Sequence, residues 1–162
     1  MRYFNAAGAD PLARIGEWHE PESHAIPLAI AAAREPDRPF TVFGEDYATR
    51  DGTAVRDYVH VLDLADAHVL ALKRLLGGAP SGAFNLGTGV GTTVRELVDG
   101  VSRVAGRPAA EDGGASARRP RDAGGRQHRR RVMSLAGRRL AGSTISWRTL
   151  GGGMRRWRPR QA

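Results

Sequence analysis

Apolar residues recur at Leu62, Ala65, Val69, Leu72, Leu75 and Leu76, a helical spacing that Gly77-Gly78 stops. A second helix is signalled by Thr93-Val94-Arg95-Glu96, which has the spacing of a capping box. Apolar Val94, Leu97, Val98, Val101 and Val104 follow it, and Gly106 and Pro108 end the run. A third helix is read from Ile26 to Ala33, with Pro27 tolerated in its first turn. Between these lie two short runs of strand character. Phe40-Thr41-Val42-Phe43 is aromatic and β-branched and stops at Gly44, and Ala83-Phe84-Asn85-Leu86 leads into Gly87-Thr88-Gly89. Strands alternating with helices imply an α/β architecture.

The order stops near Pro108. From residue 109 to 162 no stripe at either period outlasts a turn. Arg118-Arg119-Pro120-Arg121 and Arg129-Arg130-Arg131 are charge runs, and Gly151-Gly152-Gly153 is a breaker cluster. The sequence therefore divides into an α/β region at 1–108 and an Arg/Gly-rich tail at 109–162, the tail being expected to be disordered.

Charge sharpens this division. The net charge of +8 invites a nucleic-acid reading. Residues 1–108, however, hold 11 Lys+Arg against 14 Asp+Glu, and the tail holds 14 Arg, no Lys and 3 acids. The basic character belongs wholly to the tail. An arginine-rich arm that binds RNA or DNA is the competing reading, although such arms ordinarily mix Lys with Arg. The chain has no cysteine, so disulfides, thiolate metal sites and a cysteine nucleophile are excluded, in keeping with a reducing cytosol. Neither a run of ~18 apolar residues nor a signal-like N-terminus occurs, and a cytoplasmic location is expected. No metal site is read from the pattern.

Several strings carry a family resemblance. They are Arg2-Tyr3-Phe4-Asn5-Ala6-Ala7-Gly8, Gly16-Glu17-Trp18-His19-Glu20-Pro21-Glu22, His24-Ala25-Ile26-Pro27 and Val42-Phe43-Gly44-Glu45-Asp46-Tyr47. The densest is Asp51-Gly52-Thr53-Ala54-Val55-Arg56-Asp57-Tyr58-Val59-His60-Val61-Leu62-Asp63-Leu64-Ala65-Asp66, and Phe84-Asn85-Leu86-Gly87-Thr88-Gly89 closes the set. Residues 1–108 thus resemble the extended short-chain dehydrogenases, and among them the UDP-glucose 4-epimerases; Trp18 departs from their usual Asp. The Arg-Tyr-Phe-Asn string alone is shared with sister dehydratases and decarboxylases, which remain the alternative.

The resemblance implies the C-terminal part of a Rossmann-type enzyme together with its small substrate-binding domain. It implies bound NAD, a UDP-sugar substrate and a homodimer in the complete enzyme, and no specific nucleic-acid partner. It also implies that the catalytic Ser/Thr and the Tyr-x-x-x-Lys pair lie upstream of this sequence, so that the chain alone is inactive. Gly87-Thr88-Gly89-Val90-Gly91 is read as a structural turn and not as a nucleotide loop.

By the same resemblance Phe4 lies near the nicotinamide, the alternative being core packing. Asn5, read as sitting just past a strand, donates to a phosphate or sugar oxygen or else shapes a turn. Arg56 is the diphosphate ligand, since its planar donor fork suits phosphate oxygens; the alternative is a surface arginine paired to Asp57. Thr41, Val42 and Phe43 match the strand that packs on the uracil. His24 and Ala25 match a substrate-contacting pair, although a lone His is more often structural. Arg119 and Asp122 match a late Arg-Arg-Pro-Gly-Asp contact, with Arg121 in place of Gly.

The tail also has a reading at the level of its gene. Permitted codons for Ile145 to Arg155, slid by one base, spell DLVEDAWRWHA, a C-terminal string of the family. The same slide turns Ser134-Leu135-Ala136-Gly137 into ELGW. The tail is thus read as a frameshifted segment, which accounts for its wealth of Arg and Gly and its lack of Lys.

Overall fold

The computed structural model describes residues 1–114. Arg119, Asp122 and the frameshift reading lie outside the described residues. The elements in order are β1 (Arg2–Tyr3), β2 (Asn5–Ala7), α1 (Ala25–Arg34), β3 (Phe40–Phe43), β4 (Val55–Arg56) and β5 (Tyr58–His60). They continue with α2 (Val61–Leu76), β6 (Asn85–Leu86), β7 (Thr92–Thr93), α3 (Val94–Ala105) and β8 (Glu111–Gly114).

β1 and β2 form one extended run interrupted at Phe4. The amides of Arg2 and Phe4 donate to the carbonyls of Phe84 and Leu86, whereas the amide of Asn5 donates to Asp57. Successive amides of an extended chain point to opposite edges. The run 2–7 is therefore flanked by β6 on one edge and β5 on the other, both parallel to it. The chain crosses from β5 to β6 through α2, a β–α–β connection of the kind parallel strands require. Beyond this unit, β3 pairs in parallel with β8, and β4 pairs antiparallel with β7.

The larger core joins α1, α3, β3 and the β2–β5 pair through Ala7, Ile26, Ala29, Phe40, Val42, Tyr58, Leu97, Val98 and Val101. Leu97, Val98 and Val101 are essentially inaccessible, each contributing about 1.5–3 kcal/mol by burial. The smaller core lies under α2, where Leu64 and Ala67 meet Val59 and Leu86.

The helices obey their sequence signals. Thr93 and Glu96 form the complete capping box of α3, and Gly106 closes that helix at φ +70°. Gly77 caps α2, and Arg34 ends α1 one residue beyond the span read from the pattern.

Three expectations need correction. Asn5 follows β1 but does not stand at the carboxyl end of the extended run: it opens β2, because its backbone amide continues the pairing into β5. The strand read at 83–86 narrows to Asn85–Leu86, although the Phe84 carbonyl still pairs with Arg2. Order also continues past Pro108. Ala109 is buried, and Glu111–Gly114 pairs with Phe40–Phe43. Glu-Asp-Gly-Gly has poor strand propensity, but exposed backbone groups of β3 supply the hydrogen bonds that propensity does not foresee.

α2 is apolar on two sides. Leu64 and Ala67 face the core, while the stripe read from the sequence, Leu62, Ala65, Val69, Leu72, Leu75 and Leu76, is exposed, Leu76 to 79%. Among the described residues no helix is long and apolar enough to cross a membrane.

Candidate functional site

The Asp51-Gly52-Thr53 and Arg56-Asp57-Tyr58 strings lie at the junction of β4, β5, β7 and the turn after β6. Their carboxylates hold the scaffold. Asp51 accepts from the Thr53 amide at 2.9 Å, from the Thr53 hydroxyl at 2.8 Å and from the Thr93 hydroxyl. Both threonines are wholly buried. Burial pushes the Asp51 carboxyl up, but the hydrogen bonds from Thr93 and Thr53 outweigh it and hold the group below its ordinary value. Gly52 is required by the turn, because at φ +79° an added Cβ would stand 2.2 Å from the Glu45 carbonyl oxygen. Arg50 clamps Glu96 of α3, and the hydrogen bonds from Arg50 and the Thr93 amide lower the Glu96 carboxyl.

Asp57, which the sequence offers as a partner for Arg56, instead fastens the turn after β6. Its Oδ1 accepts from the Thr88 amide at 3.0 Å and the Thr88 hydroxyl at 2.6 Å, and its Oδ2 accepts from the Gly89 amide at 2.9 Å. The turn amides that could have received a phosphate are thus occupied by a carboxylate. This agrees with the reading of Gly87–Gly91 as a structural turn. The spacing of Asp57 from the turn, 31 residues, gave no local signal of the contact.

Because Asp57 is committed to the turn, Arg56 is not paired with it. Arg56 donates to the carbonyl of Val55 at 3.0 Å and, among the described residues, forms no ion pair. It is half-buried on β4. Its positive charge partly offsets the burial that raises the Tyr58 phenol.

Phe4 stands over the turn. Its ring is 53% exposed, and an added Cβ on Gly87 would lie 2.7 Å from Asp57 Oδ2 and 2.8 Å from the Phe4 ring. Gly87 therefore lets ring and carboxylate close on the same backbone. Asn5 is exposed and adjoins Asp57 through its amide. Phe4, Asn5, Asp57 and the Gly87–Thr88 turn are brought together in this way, with Arg56 next to Asp57 in the chain. Within the described residues Phe4 is exposed and takes no part in either hydrophobic core.

His24 and Ala25 sit at the head of α1. His24 occupies the N-cap position without a side-chain cap, since its ring instead faces Glu17 and Glu22. On β3, Val42 is buried, Thr41 half-buried and Phe43 exposed. β8 takes one edge of β3, and among the described residues the other edge is unpaired.

Another close approach lies at Gly8, φ +96°, where an added Cβ would stand 2.4 Å from His60 Nε2. His60 caps α2 by accepting from the Leu62 amide through Nδ1. The proton then resides on Nε2, which is buried without a partner among the described residues.

Parallel strands joined by a helical crossover, with polar turns at the strand ends, define an α/β protein of the Rossmann kind, and the comparisons agree. The profile of the NAD dependent epimerase/dehydratase family matches residues 1–87, and the chain belongs to that family. It is 68% identical over 108 residues to the UDP-glucose 4-epimerase of Rhizobium meliloti (strain 1021), covering 67% of this chain and 33% of that protein. It is 51% identical over 108 residues to the UDP-glucose 4-epimerase of Halalkalibacterium halodurans, covering 67% and 32%. Among solved structures, the Brucella ovis UDP-glucose 4-epimerase in complex with NAD matches at 49% identity and TM-score 0.66 over 71% of this chain and 35% of that one. The Stenotrophomonas maltophila enzyme, with bound NAD and formylated UDP-arabinopyranose, matches at 41% identity and TM-score 0.68, covering 76% and 36%. The chain spans about a third of the length of the relatives it matches.

Proposed function

We propose that this chain supplies the substrate-gripping part of a UDP-glucose 4-epimerase. The observation that carries the reading is the 68% identity over 108 residues to an enzyme of that name. The geometry supports it. Arg56 is a guanidinium with no ion-pair partner among the described residues, one residue before Asp57, whose carbonyl accepts from the Asn5 backbone amide. It offers its donor fork to the diphosphate, while Asp57 keeps the turn rigid beneath it. Asn5 donates its side-chain amide to a phosphate or sugar oxygen. β3 presents its unpaired edge, with Thr41, Val42 and Phe43, to a uracil base. His24 and Ala25 close the sugar side.

NAD, if bound, would supply hydride transfer from and to the sugar carbon. The residues here fit one wall of such a site. Phe4 offers an exposed ring to the nicotinamide, held in place by the missing side chain of Gly87. The turn amides of Thr88 and Gly89 are spent on Asp57 and do not hold a pyrophosphate. Acid–base chemistry and the pyrophosphate grip belong to the part of the relatives' length that this chain does not span.

That part would also cover the exposed stripe of α2. Leu62, Val69, Leu72 and Leu76 recur at the spacing of one helix face, and solvated apolar faces of this kind mark contact surfaces. In the complete enzyme the unit is expected to work as a homodimer in the cytoplasm.

Complementation tests the reading. The chain is mixed with the N-terminal two-thirds of the Rhizobium meliloti relative and assayed for interconversion of UDP-glucose and UDP-galactose with NAD. Activity that needs both parts is expected. Turnover by the chain alone, or a complex that forms and shows no UDP affinity, would overturn it.

A further inference from the structure

The loop that leads into α1 gathers two imidazoles and two carboxylates. His24 Nδ1 lies 2.8 Å from Glu17 Oε1 and 3.0 Å from Glu22 Oε1, and His19 Nδ1 lies 3.8 Å from the same Glu22 oxygen. The ligand atoms of His19, Glu22 and His24 all lie within 4.8 Å of one another. The two rings meet edge to face, their centroids 4.8 Å apart.

Two features distinguish this cluster from an ordinary set of surface charges. First, Glu22 is fixed before any ligand arrives: its Oε1 accepts from the amides of Ser23 and His24, each at 2.8 Å. Second, the hydrogen-bond account does not close. His24 Nδ1 carries at most one proton, yet two carboxylate oxygens lie within 3.0 Å of it. One proton cannot serve both well, whereas a divalent cation on Glu22 would leave it to Glu17. Bonds of about 2.0–2.2 Å in tetrahedral array put ligand atoms roughly 3.4 Å apart. The His24–Glu22 and His19–Glu22 separations of 3.0 and 3.8 Å bracket that spacing, within a cluster no wider than 4.8 Å.

We propose that His19, Glu22 and His24 form a three-ligand binding site for a borderline divalent transition metal such as Zn²⁺, with Glu17 accepting from His24 beside it. Two imidazoles with one carboxylate and an open position match the donor preference of zinc. Mg²⁺ and Ca²⁺, which take oxygen ligands, are excluded by the imidazoles. The site belongs to the loop 17–24 and does not depend on the epimerase reading. His19 and His24 are exposed, Glu22 is half-buried, and none of the three is in the core, so their replacement leaves the fold intact.

Calorimetric titration of the full chain with Zn²⁺, and visible spectroscopy with Co²⁺, test the proposal. One equivalent should bind with micromolar or tighter affinity, and Co²⁺ should give the absorption of a low-coordinate nitrogen–oxygen site. His19→Ala, His24→Ala and Glu22→Gln should each weaken binding at least about tenfold, the least that disturbing a metal site costs, with unchanged circular dichroism. Mg²⁺ should give no heat at the same concentration. Absence of Zn²⁺ binding, or binding that survives all three substitutions, would overturn the assignment. A variant that loses its circular dichroism is replaced by His24→Asn, for which the same tenfold loss is required.

Discussion

Asp57 and Thr88 are 31 residues apart in sequence, and the Thr88 hydroxyl and amide both donate to the same Asp57 oxygen, at 2.6 and 3.0 Å. This contact fastens the turn after β6 to the start of β5 and so sets the floor under Phe4. Replacing Asp57 with Ala leaves three donors without their acceptor. A loss of about 2–3 kcal/mol is expected, against about 1 kcal/mol for Thr88→Val. Urea denaturation of the two variants checks the order. Equal losses would mean that the amides find another acceptor.

Gly52 and Gly78 share nearly the same φ, +79° and +77°, but only Gly52 has a neighbour against an added Cβ. Gly78→Ala should therefore cost only the left-handed backbone penalty, about 1 kcal/mol. Gly52→Ala must also move the Glu45 carbonyl and should cost clearly more. Thermal melts of the pair separate conformational strain from collision.

Acid should expose the Asp10–Arg14 pair. Asp10 is buried, and Arg14 donates to it through Nε at 2.7 Å, Nη2 at 3.1 Å and its amide at 3.0 Å. The Arg14 side-chain bond outweighs the opposing effect of burial and lowers the carboxyl from 3.8 to about 2. A depressed folded-state value means that the ionised form is favoured by folding. Its contribution is complete above the ordinary value and is lost as pH falls from about 4 through about 2. Arg14→Ala should flatten the stability profile in that window, as read by denaturant midpoints between pH 5 and 2. A profile with unchanged slope would rule the pair out.

Arg56 should separate binding from stability. Among the described residues its one side-chain hydrogen bond goes to the carbonyl of its neighbour Val55. Arg56→Ala is expected to change stability by no more than about 0.5 kcal/mol. In the complemented enzyme it should weaken UDP-sugar binding by about 1.5–3 kcal/mol, the scale of a charged hydrogen bond. Unchanged UDP affinity in calorimetry would remove Arg56 from the site.

The exposed stripe of α2 makes the opposite prediction. Leu72→Glu places a charge on a surface the chain itself does not bury. The isolated chain should keep its denaturation midpoint, while association with the N-terminal two-thirds of a relative should fail in gel filtration. Retained association would show that another face makes the contact.

Much of this molecule was legible in its residues. The helix ending at Gly77, the capping box at Thr93 and Glu96, and the strand at Phe40–Phe43 are local devices, specified by residues within one or two turns of each other. The family strings are local too, so membership could be read before any fold was known. Other features arise from contacts between distant residues, for which local spacing carries no signal. Asp57 binds a turn 31 residues away, and Asp51 reaches Thr93 across 42. β8 forms from Glu-Asp-Gly-Gly only because β3 offers an edge. The periodicity of α2 showed a helix with an apolar stripe, but periodicity is blind to which side meets a neighbour. Tertiary packing put Leu64 and Ala67 inside and left Leu62, Val69, Leu72 and Leu76 in water, because burial depends on what else the chain brings to that face.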